Sequence, residues 1–311
     1  MMLPAPELFA EVADFLNITN PAIVEKDYFL IQLLRLLSTT DTEGYQLVFA
    51  GGTCLAKVYK RTHRMSEDID LKLVPDAATK LLSNSAQRTL RKRIHLNITN
   101  LILDSGLFTQ SQDPVVRNER RFLQLLLNYP NAFPSSDALR THIQLELTES
   151  ELLQPATYHP VSSLYADVIN KVPEIEQFAC VSLVSTAAEK LVSLLRRTAV
   201  ATRYTERKDD DQLIRHAYDL YQIQAELLDK AEFKQLIDVV IATDVAQFGE
   251  QHPEFRADPV SELLFGLAQL EESKYAERYK RFIGPLVYHP QPVAWSEALK
   301  TVQLLTKQHL G

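Results

Sequence analysis

Asp68 and Asp70, separated by one residue in Glu67-Asp68-Ile69-Asp70-Leu71, are the side chains whose type and spacing most directly suggest chemistry. From Asp68 onward acidic and apolar residues alternate, the pattern of a half-buried strand. On such a strand both acids share one face, roughly 6.5 to 7 Å apart along the backbone, while Ile69 and Leu71 turn into the core. Side-by-side carboxylates repel, and a divalent cation between them removes that repulsion. Mg²⁺, with Mn²⁺ as an alternative, takes carboxylate oxygens together with substrate phosphate oxygens.

A place for those phosphates lies a short way upstream. Gln46 to Ala50 reads as an apolar strand, Gly51 and Gly52 break it, and Thr53 to Lys60 has helical spacing. Paired glycines let backbone N–H groups approach a ligand closely, and a helix start presents unpaired donors and a positive dipole end to an anion. A nucleoside triphosphate fits this unit. Thr53 and Ser66 either hydrogen-bond the phosphates or stabilise a cap and a turn. Arg64 either clamps a phosphate or pairs with Glu67. Lys57, one turn into the helix, is a further phosphate ligand or a plain surface lysine.

Gly51-Gly52-Thr53, Arg64-Met65-Ser66-Glu67-Asp68-Ile69-Asp70-Leu71 and, far downstream, Arg215-His216-Ala217-Tyr218-Asp219-Leu220-Tyr221 resemble the AbiEii/AbiGii toxin family. That family belongs to the polymerase-β-like nucleotidyltransferases and includes the MenT toxins. The resemblance spans Glu25 to Ile223. It implies an α+β fold, with a polymerase-β-like core of mixed sheet flanked by helices and a helical C-terminal domain. It also implies a toxin of a type IV toxin–antitoxin pair that moves a nucleoside monophosphate from an NTP to the 3′ end of a tRNA, with a neighbouring antitoxin as partner.

The resemblance assigns roles to individual residues. Glu146, between Leu145 and Leu147, matches the position of a third metal carboxylate; an acid on the exposed side of an edge strand is the plain alternative. Lys190 matches a lysine that contacts the nucleotide phosphates, although Ala187 and Ala188 stand where the family often has an aromatic residue. Asp219 matches an active-site aspartate that orients a lysine or the acceptor; it also has helical spacing for an ordinary ion pair with Arg215. The expected site therefore comprises Asp68, Asp70, Lys190 and Asp219 for catalysis, Asp68, Asp70 and Glu146 for metal, and Gly51, Gly52, Thr53, Lys57, Arg64, Ser66 and Lys190 for nucleotide. Two rival functions keep these residues: transfer to a protein side chain or small molecule, and nucleotide binding without turnover.

The elements that must hold these groups follow from composition and periodicity. A net charge of −7 argues against a surface built as a whole to coat nucleic acid. Cys54 and Cys180 form no metal-binding spacing, no apolar run is long enough to cross a membrane, and acids replace the basic start of a signal peptide, so a reducing cytoplasm is expected. Helices are expected at Pro6–Leu16 and Pro21–Leu37, the second carrying Glu25-Lys26-Asp27-Tyr28 as a solvated charged face. Asp76–Asp104 reads as one or two helices, with Arg88, Arg91, Lys92, Arg93 and His95 as a basic cluster that tracks a nucleic-acid backbone or is merely solvated. Strands are expected at Phe108–Val116, Arg120–Asn128, His142–Thr148 and Gln177–Val184. From Ser185 onward helices follow at Ser185–Arg197, Asp209–Gln224, Ala231–Gln247, Val260–Glu272 and Ala294–Gln308. Residues 1–184 then form the nucleotidyltransferase core. Residues 185–311 form a helical domain that completes the cleft, where Lys190 lies off the apolar stripe and Arg196, Arg197, Arg203, Arg207 and Lys208 add positive charge.

Overall fold

A computed structural model describes residues 3–59, 62–134, 139–227 and 231–310. Two compact units divide the chain, 1–181 and 182–311. The expected helix end at Lys60 lies outside the described residues.

The first unit is organised by one mixed sheet. Its order is β3 (Thr109–Gln110), β5 (Phe122–Asn128), β6 (Ile143–Glu149), β2 (Asp68–Pro75), β1 (Tyr45–Ala50), β8 (Ile175–Cys180) and β7 (Thr157–Val161), with β4 (Val115–Arg117) also paired to β5. The β2–β6 and β1–β8 pairs are parallel and the others antiparallel. Alternation does the sorting. Ile69, Leu71 and Leu73 of β2, Leu123, Leu125 and Leu127 of β5, and Ile143, Leu145 and Leu147 of β6 are all buried. The intervening residues Asp68, Asp70, Gln124, Gln144 and Glu146 occupy the other, partly accessible face.

Helices α1 (Pro6–Phe15) and α2 (Ala22–Leu37) precede the sheet, and α3 (Gly51–Val58) follows β1 without a spacer. After β2 come α4 (Ala77–Lys80) and α5 (Asn84–Asp104), so of the one or two helices expected over Asp76–Asp104 there are two, each opened by an acceptor cap, Asp76 and Ser83. A short α6 (Leu164–Val168) lies between β7 and β8. Packed against α1, α5, α6 and β2, α2 is buried on nearly every side. Its Glu25, Lys26 and Asp27 are buried too, which corrects the expectation of a solvated face.

In the second unit, α7 (Leu183–Arg203) starts at the Ser182 cap and packs against α8 (Arg215–Ile223), α9 (Ala231–Phe248) and α11 (Pro259–Gln269). Gly266 brings α11 so close to α7 that a Cβ there would overlap the Leu195 carbonyl oxygen. The remaining helices are α10 (Pro253–Ala257), α12 (Ser273–Leu286) and α13 (Trp295–Leu310). Among the described residues no helix is long and apolar enough to cross a membrane.

Candidate active site

Register places the acids. Asp70 on β2 stands opposite Glu146 on the parallel strand β6, and Asp68 stands opposite Gln144. Parallel partners point to the same face, so Asp68, Asp70 and Glu146 form one polar patch with strand spacing of about 4.8 Å between neighbours. Because β6 lies between β5 and β2, the alternative reading of Glu146 as an acid on an edge strand does not hold. Glu146 Oε1 accepts from Gln124 Nε2 at 2.9 Å and from Gln144 Nε2 at 2.7 Å, and these two amides fix its carboxylate.

The glycine turn meets the same patch. Gly51 has φ +72°, the left-handed region, and a Cβ on it would overlap the Asp70 carboxylate. At Gly52 a Cβ would stand 2.7 Å from Arg64 Nη2 and 3.1 Å from Ser66 Oγ. Each glycine is therefore the space that lets an expected site residue approach the turn. Thr53 Oγ1 donates to the Asp68 carbonyl oxygen, tying the first turn of α3 to the start of β2. No side chain caps the N-terminus of α3. Arg64, buried, donates from Nη1 to the Met65 carbonyl oxygen at 2.9 Å.

Buried charges on α2 brace this unit from behind. Lys26 Nζ donates to Glu67 Oε1 at 2.9 Å and to the Arg140 carbonyl oxygen at 2.8 Å. Burial lowers the Lys26 pKa, and the Glu67 carboxylate opposes that shift. Asp27 pairs with Lys57 of α3 and accepts from the Leu164 N–H at 2.6 Å, while burial raises its pKa against the pull of Lys57. Lys57 is thus no surface lysine. Glu25 accepts from the Ala132 and Phe133 N–H groups at 2.7 and 3.4 Å. Three successive helix positions span about 200° of the helix circumference, so with apolar neighbours all round they could not all face water. That signal was present in the sequence.

Asp68 carries the most telling contact. Its Oδ2 pairs with Arg140 Nη2 at 3.0 Å, while its Oδ1 is buried with no hydrogen-bond partner. Among the described residues no three His, Cys, Asp or Glu side chains are gathered closely enough to hold a metal ion. The donor set still fits one. Mg²⁺ is typically bound through one or two carboxylates plus substrate phosphates rather than in an all-protein cage, and an orphaned anionic oxygen beside Asp70 is a cation's natural contact.

In the second unit Lys190 of α7 and Asp219 of α8 form an ion pair at 2.9 Å, with Asp219 fully buried and Lys190 nearly so. The expectation of Lys190 lying off the core is corrected. The basic residues nearby are largely neutralised: Arg196 pairs with Asp244 at 2.8 Å, Arg197 with Asp210 at 2.6 Å and Arg203 with Glu262 at 2.7 Å. The basic cluster on α5 is likewise no single charged face. Arg91 and His95 point inward at i, i+4 spacing, Arg91 on Glu149 at 2.8 Å, and Arg93 pairs with Glu43.

The family model "Nucleotidyl transferase AbiEii toxin, Type IV TA system" matches residues 35–301. This chain belongs to the AbiEii family. AbiEii membership gives the chemistry as nucleotidyl transfer and the setting as a type IV toxin–antitoxin system, with an NTP as substrate and an antitoxin as partner. Among solved structures the AbiEii chain is similar to MenT4, a nucleotidyltransferase toxin from Mycobacterium tuberculosis H37Rv. The TM-score is 0.62 at 21% identity, over 96% of this chain and 89% of that one. The shared fold is a mixed sheet flanked by helices with further helices toward the C-terminus. No curated protein matches the AbiEii chain.

Proposed function

We propose that this protein is a divalent-metal-dependent toxin that transfers a nucleoside monophosphate from an NTP to an RNA acceptor, the 3′ end of a tRNA, and so blocks translation in the cytoplasm. The observation that carries the reading is the placement of Asp70 directly against Gly51, with Asp68 and Glu146 on the same sheet face. An anion-accepting turn and a cation-accepting patch share one spot, as a metal-bound triphosphate requires.

Asp68 and Asp70 hold the cation together with the substrate phosphates, and Glu146, fixed by Gln124 and Gln144, stands in register with Asp70 as the candidate third carboxylate. Mg²⁺, or Mn²⁺ in its place, supplies charge neutralisation at the α-phosphate when bound. Gly51, Gly52 and Thr53 offer uncapped helix-start donors to the phosphate tail, and Ser66 and Arg64 face that turn. Lys190, held by Asp219, neutralises the departing pyrophosphate as a compact point charge. Lys57 supports the turn through Asp27 rather than binding the nucleotide itself. Phosphoryl transfer asks mainly for alignment and charge stabilisation, which these groups provide. The neutralising antitoxin is encoded beside it.

Total tRNA, Mg²⁺ and each α-labelled NTP, incubated with the protein and separately with Asp70→Asn, test this. Label entering tRNA with wild type and not with the variant is the expected result. Label entering protein instead would replace the acceptor, and no transfer to any acceptor under Mg²⁺ or Mn²⁺ would remove the reading.

A further inference from the structure

Arg140 lies outside every motif that suggested the site, yet it forms an ion pair with Asp68, a proposed metal ligand. Its backbone is fixed: the N–H donates to Glu67 Oε1 at 2.6 Å, and the carbonyl oxygen accepts from Lys26 Nζ at 2.8 Å. Its side chain is held differently. Nη2 donates to Asp68 Oδ2 at 3.0 Å and Nη1 to Gln144 Oε1 at 3.2 Å, with Nε 3.7 Å from Glu67 Oε2, and a quarter of the side chain stays exposed. Backbone contacts secure the loop, so the guanidinium is not needed to anchor it.

Without a bound cation, Asp68 and Asp70 stand two residues apart on one face, and Glu146 adds a third negative charge in register. Arg140 supplies the compensating positive charge at Asp68 Oδ2. A divalent ion held by Asp70 and by Asp68 Oδ1, the oxygen with no hydrogen-bond partner, would stand close to that guanidinium, and the two positive charges repel. Asp68, which Arg140 grips, is itself tied to the turn proposed to hold the triphosphate, since its carbonyl oxygen accepts from Thr53 Oγ1. A guanidinium released there, on a backbone that stays put, presents a planar fork that matches phosphate oxygens bidentately.

We infer that Arg140 is a displaceable counter-ion: it neutralises Asp68 while the site holds no cation, gives up that carboxylate to a divalent ion, and then pairs with the triphosphate of the NTP. The inference rests on the metal-dependent reading above. It adds a phosphate-binding residue to the site.

The test separates the two. Free Mn²⁺ is followed by electron paramagnetic resonance as full-length wild type, Arg140→Gln, Arg140→Lys and Asp68→Asn are titrated without nucleotide. Arg140→Gln should bind Mn²⁺ about tenfold more tightly than wild type, Arg140→Lys should fall between, and Asp68→Asn should lose the site. At saturating Mn²⁺, Arg140→Gln should bind a non-hydrolysable α,β-methylene triphosphate about tenfold more weakly. Wild-type Mn²⁺ binding that depends on Asp68 but is unchanged in both Arg140 variants overturns the counter-ion while sparing the metal site. Unchanged triphosphate affinity overturns the phosphate contact. Binding of Mn²⁺ by no variant removes the metal reading and this inference with it. Should Arg140→Gln fail to fold, Arg140→Lys alone decides, since it keeps the charge and loses the fork.

Discussion

The carboxylate of Asp70 fills the space in which a side chain at residue 51 would sit, so Gly51 and Asp70 are a matched pair. Gly51→Ala must move the acid and also adopt a positive φ, which costs about 1 to 3 kcal/mol. The melting temperature should fall, and Mn²⁺ binding should weaken at least tenfold in the protein that remains folded. An alanine variant with wild-type metal affinity would show that the pair is not matched.

Lys190 and Asp219 should behave as a buried pair. Lys190→Ala leaves the Asp219 carboxylate buried and loses a charge partner, a cost of about 3 to 5 kcal/mol by urea denaturation. Replacing both, as Lys190→Met with Asp219→Leu, should recover most of that stability and none of the transfer activity. Additive losses in the double variant would mean that the two groups do not depend on each other.

Glu25 secures the loop at Ala132 and Phe133 through charge-assisted bonds. Glu25→Gln should speed hydrogen exchange at those two amides while exchange in the strand containing Asp70 stays unchanged. Uniform acceleration throughout the first unit would point to global rather than local loosening.

His95 gives a pH signature. Burial, then the charges of Arg120 and Arg91, hold its pKa down to about 4, below the ordinary value near 6.5. Between those values the unfolded chain binds a proton that the folded chain does not, so stability rises with pH across that window and is lost as pH falls from about 6.5 toward 4. His95→Gln should flatten that part of the stability curve, measured by urea midpoints at several pH values. An unchanged slope would assign the acid sensitivity to other groups.

Much of the candidate site's geometry is legible in the sequence because its groups are local. The glycine turn, the alternating acids and the apolar flanks of Glu146 each declare themselves within a few residues. Distal partners do not. Arg140 comes within reach of Asp68, 72 residues away in the chain, only through the parallel pairing of β2 with β6. For the buried charges of α2 the sequence carries only the apolar residues around them, since propensity sees polar side chains and not the partners that satisfy them. Strand β7 is not legible in the sequence, since Thr157, Tyr158, His159 and Pro160 lack apolar alternation, as a strand at the sheet's border can. Helix α12 was obscured by Pro285, which its last turn tolerates.

The central position of β2 has a further consequence. Hydrogen-bonded on both sides, it cannot slip by one residue without breaking two ladders at once, and such a slip would send Asp68 and Asp70 inward and Ile69 and Leu71 outward. The acids therefore come into alignment only when the neighbouring strands have closed around them. A nascent or partly unfolded chain lacks that alignment, because the event that completes the sheet is the one that brings Asp68, Asp70 and Glu146 into register.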